Sequence, residues 1–244
     1  MPQRISRKDL KKDDVREAFV HGGEAVALHK KGLGQIVLIV LLIAIAVFGW
    51  RWYTQWQTGK ASIELADGMK IYNAPIHAAG EPAVDPNAPS YFDEKNKYDD
   101  AAKKFAVVAD SYPRTRPGQE ARYFEALCDE HLSRNDRAAS ELEGVAKSSN
   151  SDLEPIAKLR LAGVYAKLGK NAQAIQTYQE LMAKPTVLVP KPLVMLEFAD
   201  FYSKTNPSEA TKLLMQVKQE FPESPASQEA DKRLEAAAES AGHS

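Results

Sequence analysis

The chain has 244 residues and is close to neutral, with 32 basic against 33 acidic side chains. That balance excludes the basic footprint of a nucleic-acid binder, and a single cysteine excludes an intramolecular disulfide. The neutrality conceals a split: residues 1–31 hold eight basic and five acidic residues, and residues 51–244 hold 24 and 28.

The first segment, residues 1–31, reads as a basic tail. Asp13-Asp14 precede Val15–Phe19, a pattern for a short capped helix that Gly22-Gly23 interrupts. Gly32 to Trp50 then runs 19 residues without a charge. A helix of that length crosses about 28 Å, close to the hydrocarbon thickness of a bilayer. Apolar residues cover every face of it, which predicts a membrane span and not the single stripe of a soluble helix. Trp50, Arg51, Trp52, Tyr53 and Trp56 follow, the amphipathic rings and snorkelling cation of a headgroup layer. No small-residue cleavage site accompanies them, so the run reads as an uncleaved signal anchor. Lys30 and Lys31 border it on the other side, and the basic excess upstream predicts a cytoplasmic N-terminus and an exported C-terminal part.

Beyond the aromatic cluster, Ala61, Leu65, Ala66, Met69 and Tyr72 recur at helical spacing and predict a helix over 58–72. Pro75, Pro82, Pro86 and Pro89 break the pattern, so 74–92 is expected to be a long loop, either a spacer or a partner contact. From Glu94 onward every periodic stretch is helical. Cys128 falls among Tyr123, Phe124 and Leu127, as a small buried hydrophobe would.

One unit stands out: Leu161-Ala162-x-x-Tyr165-x-x-x-Gly169-x-x-x-x-Ala174-x-x-x-Tyr178-x-x-Leu181. Its spacing resembles the tetratricopeptide repeat, a helix–turn–helix unit of about 34 residues. Ala162 and Ala174 are small where helix A meets helix B, Tyr165 and Tyr178 fill the space between units, and Gly169 ends helix A. The frame returns at Ala101-Phe105-Val108, Ala138-Leu142-Val145 and Ala210-Leu214-Val217. Tyr112-Pro113-Arg114-Thr115 with Ala121 echoes Phe221-Pro222-Glu223-Ser224 with Ala230 at a constant offset, and Thr115 and Ser224 can cap the helices that follow. The expected architecture is all-α: one N-terminal transmembrane helix, then a solenoid of about four helix pairs (58–73 with 94–111, 117–149, 153–184 and 191–221) and a capping helix at 224–240. The expected segments are a cytoplasmic tail at 1–31, a transmembrane anchor at 32–54, a membrane-proximal helix with the proline-rich loop at 55–93, and the repeat domain at 94–244.

The tail, the span, its Gly49-Trp50-Arg51-Trp52-Tyr53 exit and these repeats together resemble the ancillary subunit of the bacterial Sec translocon. That group shares its repeat domain with the cell-division coordinator of the Tol-Pal system. The proline insertion at 74–92 departs from the compact pattern of the group. The resemblance implies a single-pass inner-membrane protein with a periplasmic domain, whose partners are translocon subunits, periplasmic chaperones or other envelope proteins. The alternative is a tethered scaffold in cell division or envelope assembly.

The resemblance also implies a concave face lined by helix A side chains. Projected onto it are Tyr123 and Leu127, Leu159 and Gly163, Leu196 and Asp200. They are mainly apolar and lack the Lys and Asn of the carboxylate-clamp version, so a helix or an unfolded segment is the expected guest. No cofactor, metal, nucleic acid or small-molecule substrate is expected. The five histidines are scattered and no HExxH, CxxC, GxSxG or phosphate loop occurs. Asp129-Glu130-His131 lie in succession on one helix, where neighbours point to different faces.

Overall fold

The computed structural model describes residues 30–78 and 88–242, and the expected short helix at Val15–Phe19 lies outside them. Nine α-helices occupy the described residues: α1 (Lys30–Tyr72), α2 (Glu94–Ser111), α3 (Arg116–His131), α4 (Asn135–Ala146), α5 (Leu153–Lys167), α6 (Asn171–Ala183), α7 (Lys191–Thr205), α8 (Pro207–Glu220) and α9 (Pro225–Gly242). No strand longer than an isolated bridge is present among them. The chain divides into two compact units, one ending at Trp56 and one beginning at Gln57.

In the first unit, the side chains from Val37 to Tyr53 are all exposed. An 18-residue stretch of α1 has a mean hydropathy of 2.0 and none of it is buried, so this helix is long and apolar enough to cross a membrane. The rings of Tyr53 and Trp56 lie 6.5 Å apart, and Trp50, Arg51 and Trp52 are exposed beside them.

In the second unit the helices stack as successive A and B partners. Phe105, Leu142, Tyr178 and Leu214, the same B position of each unit, are all buried, as are Ala101, Ala138, Ala174 and Ala210 one turn earlier. Three cores result. Leu65, Met69 and Tyr72 of α1 pack on Phe105, Val108 and Cys128 of α2 and α3. Helices α4–α7 enclose Leu142, Val164, Tyr178 and Phe198. Helices α7–α9 enclose Met195, Leu214 and Ala230. Each pair leans on its neighbours, as in a solenoid, and no single core serves the whole unit.

Caps define the units. Asp93 accepts from the Asn96 amide at 2.8 Å and starts α2. Thr115 accepts from the Gly118 amide at 3.1 Å, and Ser224 from the Ser227 amide at the same distance. Both hydroxyls also donate backwards, to Tyr112 O at 2.9 Å and to Phe221 O at 2.7 Å. The two echoed segments therefore fold alike. Helices α3 and α5 end in the same two-bond motif: Arg134 N to Asp129 O and Ser133 N to Glu130 O, then Lys170 N to Tyr165 O and Gly169 N to Ala166 O. The left-handed residues are Ser133 at φ 58° and Gly169 at φ 69°. Asn206 alone connects α7 to α8.

The ends of the proline-rich loop are tied together. Ile76 bridges to Tyr91, with His77 N donating to Tyr91 O and Tyr91 N to Pro75 O, each at 3.0 Å. Residues 79–87 lie outside the described residues.

Candidate functional site

Helices α3, α5, α7 and α9 follow one another along one face of the repeat unit, each touching the next. Their seams differ in what closes them.

Between α3 and α5 the closure is ionic. Glu130, only 3 % exposed, accepts from Arg160 Nε at 2.5 Å and from Lys167 Nζ at 2.7 Å. A buried carboxylate is tolerable only when so gripped. Between α7 and α9, Arg233 reaches Asp200 Oδ1 at 2.7 Å and Leu196 O at 3.0 Å, while its Nε holds Glu229 at 2.9 Å. Between α5 and α7 no ion pair spans the seam among the described residues. A cleft of about 260 Å³ remains, walled by Gly163 and Ala166 of α5, floored by Tyr178 and Phe201, and edged by Glu197 and Asp200 together with Lys167 and Lys204.

The six residues projected onto helix A faces divide accordingly. Gly163 and Asp200 line the same cleft. Tyr123 and Leu159 are half-buried against the central core, Leu127 is half-buried, and Leu196 is covered in the last core at 6 % exposure. Asp129, Glu130 and His131 do point apart. Asp129 turns to α4, Glu130 to α5, and the His131 ring stacks on Tyr98 with centroids 3.9 Å apart.

A second charged cluster ties α2, α3 and α4. Arg134 joins Asp99 at 2.7 Å to the fully buried Asp129 at 3.4 Å. Arg137 lies 3.4 Å from Glu125 and 3.3 Å from Asp129 Oδ2, the latter contact out of line for a hydrogen bond. Arg122 pairs with Glu141 and with Asp110. Burial first, and then the charge of Glu141, pushes the Glu125 carboxyl up to about 7. The hydrogen bonds from Lys103, and then from Arg134, hold Asp99 down at about 2. Burial likewise raises the Cys128 thiol to about 12, which leaves it a small hydrophobe and not a nucleophile. Neither Glu125 nor Cys128 lines the α5/α7 cleft. No group of three or more His, Cys, Asp or Glu among the described residues is placed to hold a metal ion.

Reasoning along the sequence missed the ionic closures, because each joins residues 30 or more apart. The signal that could have found the open seam is the repeat itself. Two residues before Ala162 stands Arg160, and two before Ala199 stands Glu197, an acid where its neighbour unit has a base.

The profile of the tetratricopeptide repeat-like domain matches residues 30–185, more than half of the chain. The protein belongs to this family. No curated protein and no solved structure matches it. The match begins with α1, so the apolar helix lies within the family's pattern, and it ends near the α6–α7 connection. The repeat order continues beyond it through α8, where Ala210, Leu214 and Val217 are buried like their counterparts. Domains of this type are protein-interaction modules, and no catalytic family is indicated.

Proposed function

We propose that this protein is a membrane-anchored adaptor of the bacterial envelope. It presents its tetratricopeptide unit to other proteins, as an ancillary subunit associated with the Sec translocon and its chaperones. The observation that carries this reading is the joining of two features within one family pattern: an uncharged helix with an aromatic exit, and the A-face seams of a repeat domain. In this reading residues 1–31 are cytoplasmic, 32–54 cross the inner membrane, 55–93 stand at its outer surface, and 94–244 bind partners in the periplasm. The excess of basic residues before the span supports that orientation. Trp50, Trp52, Tyr53 and Trp56 suit the headgroup layer, with Arg51 reaching its phosphates.

The test is affinity purification of the tagged chain in mild detergent, with partners identified by mass spectrometry. Co-purification of translocon subunits is the expected result. Their loss when the span is exchanged for an unrelated one of equal length places that contact in the bilayer. Division or outer-membrane assembly proteins in their place would refute the translocon role and leave a tethered scaffold.

A further inference from the structure

The cleft between α5 and α7 interrupts a rule that its neighbours obey. At the α3/α5 seam an arginine of the later helix, Arg160, crosses to a carboxylate of the earlier one, Glu130. At the α7/α9 seam Arg233 crosses to Asp200 in the same way. The two arginines hold equivalent places. Arg160 stands two residues before Ala162, and the 109-residue echo that relates Ala121 to Ala230 carries Phe124, two before Ala126, onto Arg233. In α7 that place is occupied by Glu197. The seam thus has an acid where a base closes its neighbours, and Glu197 forms no ion pair among the described residues.

The floor of the cleft carries a second oddity. Tyr178 is 2 % exposed, and its ring packs on Phe198 at 4.9 Å. The same position in the other units holds Phe105, Leu142 and Leu214, which pack there without a polar atom. Tyr178 lines the cleft, and its hydroxyl makes no hydrogen bond among the described residues. Its oxygen opens onto the cleft and is not sealed in the core, so a guest can reach it. Burial raises its pKa first, and the charges of Glu197 and Asp200 raise it further. Lys204 lines the far end of the same cleft, two turns further along α7 and roughly 10 Å from Glu197 along the axis. Lys167, also in the lining, is held by Glu130, as Asp200 is by Arg233, which leaves Glu197 as the acid of the cleft without a partner among the described residues. The wall opposite is Gly163, where an added Cβ would meet nothing within 4 Å.

We propose that this cleft seats a long cationic side chain, arginine or lysine, of a polypeptide partner. Its methylene stem lies along Ala166 and Phe201, and its head meets Glu197, which has no cation of its own among the described residues, with the Tyr178 oxygen and the Arg233-held Asp200 beside it. The guest supplies from outside what Arg160 and Arg233 supply from within at the flanking seams. This rests on the reading of the A face as a protein-binding surface and adds the chemistry that the surface selects.

The test uses the full chain in detergent micelles, labelled with ζ-13C tyrosine, the Tyr178 signal being assigned with Tyr178→Phe. The probes are acetyl-Ala-Arg-Ala-amide and the same tripeptide with norleucine or glutamate at its centre. The arginine peptide is expected to shift the Tyr178 signal saturably, and the other two to leave it in place at equal concentration. Glu197→Gln is expected to weaken the interaction about tenfold, the scale of a hydrogen bond to a charged group. Gly163→Leu is expected to abolish it by filling the cleft, with the remaining tyrosine signals unchanged. An equal response to norleucine, a preference for glutamate, or full binding by Gly163→Leu would each overturn the proposal. Envelope partners that still co-purify while the arginine peptide fails would refute the cation seat alone and leave the adaptor reading standing.

Discussion

Gly68 of α1 lies directly against the ring of Phe105 of α2: a methyl group built on the glycine would stand 2.6 Å from Phe105 Cε1. Phe105 is fully buried, so the ring has no free space to retreat into. Gly68→Ala gains about 1 kcal/mol of helix propensity and loses more to overpacking, typically 1–3 kcal/mol. The expected outcome is a net destabilisation, larger for Gly68→Val, read as a lower Tm of the full chain in detergent. Gly163→Ala is the control. It meets no neighbour and is expected to raise stability by up to about 1 kcal/mol.

Ser133 performs in the α3–α4 turn what Gly169 performs in the α5–α6 turn. A non-glycine residue at φ 58° strains against its own Cβ, at about 1–2 kcal/mol. Ser133→Gly is therefore expected to stabilise by roughly 0.5–1 kcal/mol, and Gly169→Ala to destabilise by a similar amount. Chemical denaturation of both variants distinguishes them by sign.

The buried Glu125 makes stability depend on pH. Its carboxyl titrates near 4.5 when unperturbed and at about 7 in the fold. The folded chain therefore keeps a proton that the unfolded chain releases between those values. The contribution of Glu125 is fully present below pH 4.5, falls as pH rises, and is lost above about 7. Glu125→Gln removes that slope. The variant is expected to gain on the wild type progressively from pH 4.5 to 7 and to hold a constant advantage above, on the order of 1–3 kcal/mol. Equal pH dependence of the two Tm curves would contradict this.

Removing Arg160 leaves Glu130 buried with Lys167 as its remaining partner. Arg160→Ala is expected to destabilise by about 1–3 kcal/mol, less than the 3–5 kcal/mol of a fully orphaned buried charge. Arg160→Ala with Lys167→Ala is expected to exceed the sum of the single changes. Adding Glu130→Gln to that pair is expected to recover part of the loss. A double-mutant cycle measures the coupling.

The span admits a direct test. Two arginines placed in α1, Ile43→Arg with Ile45→Arg, each add about 2.5–3.5 kcal/mol to insertion at mid-bilayer. The expected outcome is release of the variant from membranes by alkaline carbonate, conditions under which the wild type sediments with lipid.

The solenoid was legible because its determinants are local and periodic. Ala162, Ala174 and Gly169 are fixed by how closely two sequential helices approach and by one left-handed turn, and both leave a short-range mark. Thr115 and Ser224 were legible as caps for the same reason. Ser133 was not, since nothing in a serine advertises a positive φ. The seams were legible only in part. Gly163 and Asp200 could be projected onto a common face, yet the cover that α9 lays over Leu196 depends on the path of a helix far along the chain. The grip on Glu130 by Arg160 and Lys167 spans 30 and 37 residues. Tyr178 was read as a filler between units, and its ring is one.

The single cysteine turns out to be a stopwatch. Cys128 is sealed at 0 % exposure in the first of the three cores, beside Phe105 and Ala121. A thiol reagent can reach it only while α2 and α3 are apart, and no second thiol competes for the label. The rate of its modification therefore reports the opening of the first repeats alone and is blind to fraying of α8 and α9. In a stack whose units hold one another only through their neighbours, that rate tells whether a bound partner tightens the near end or merely the far one.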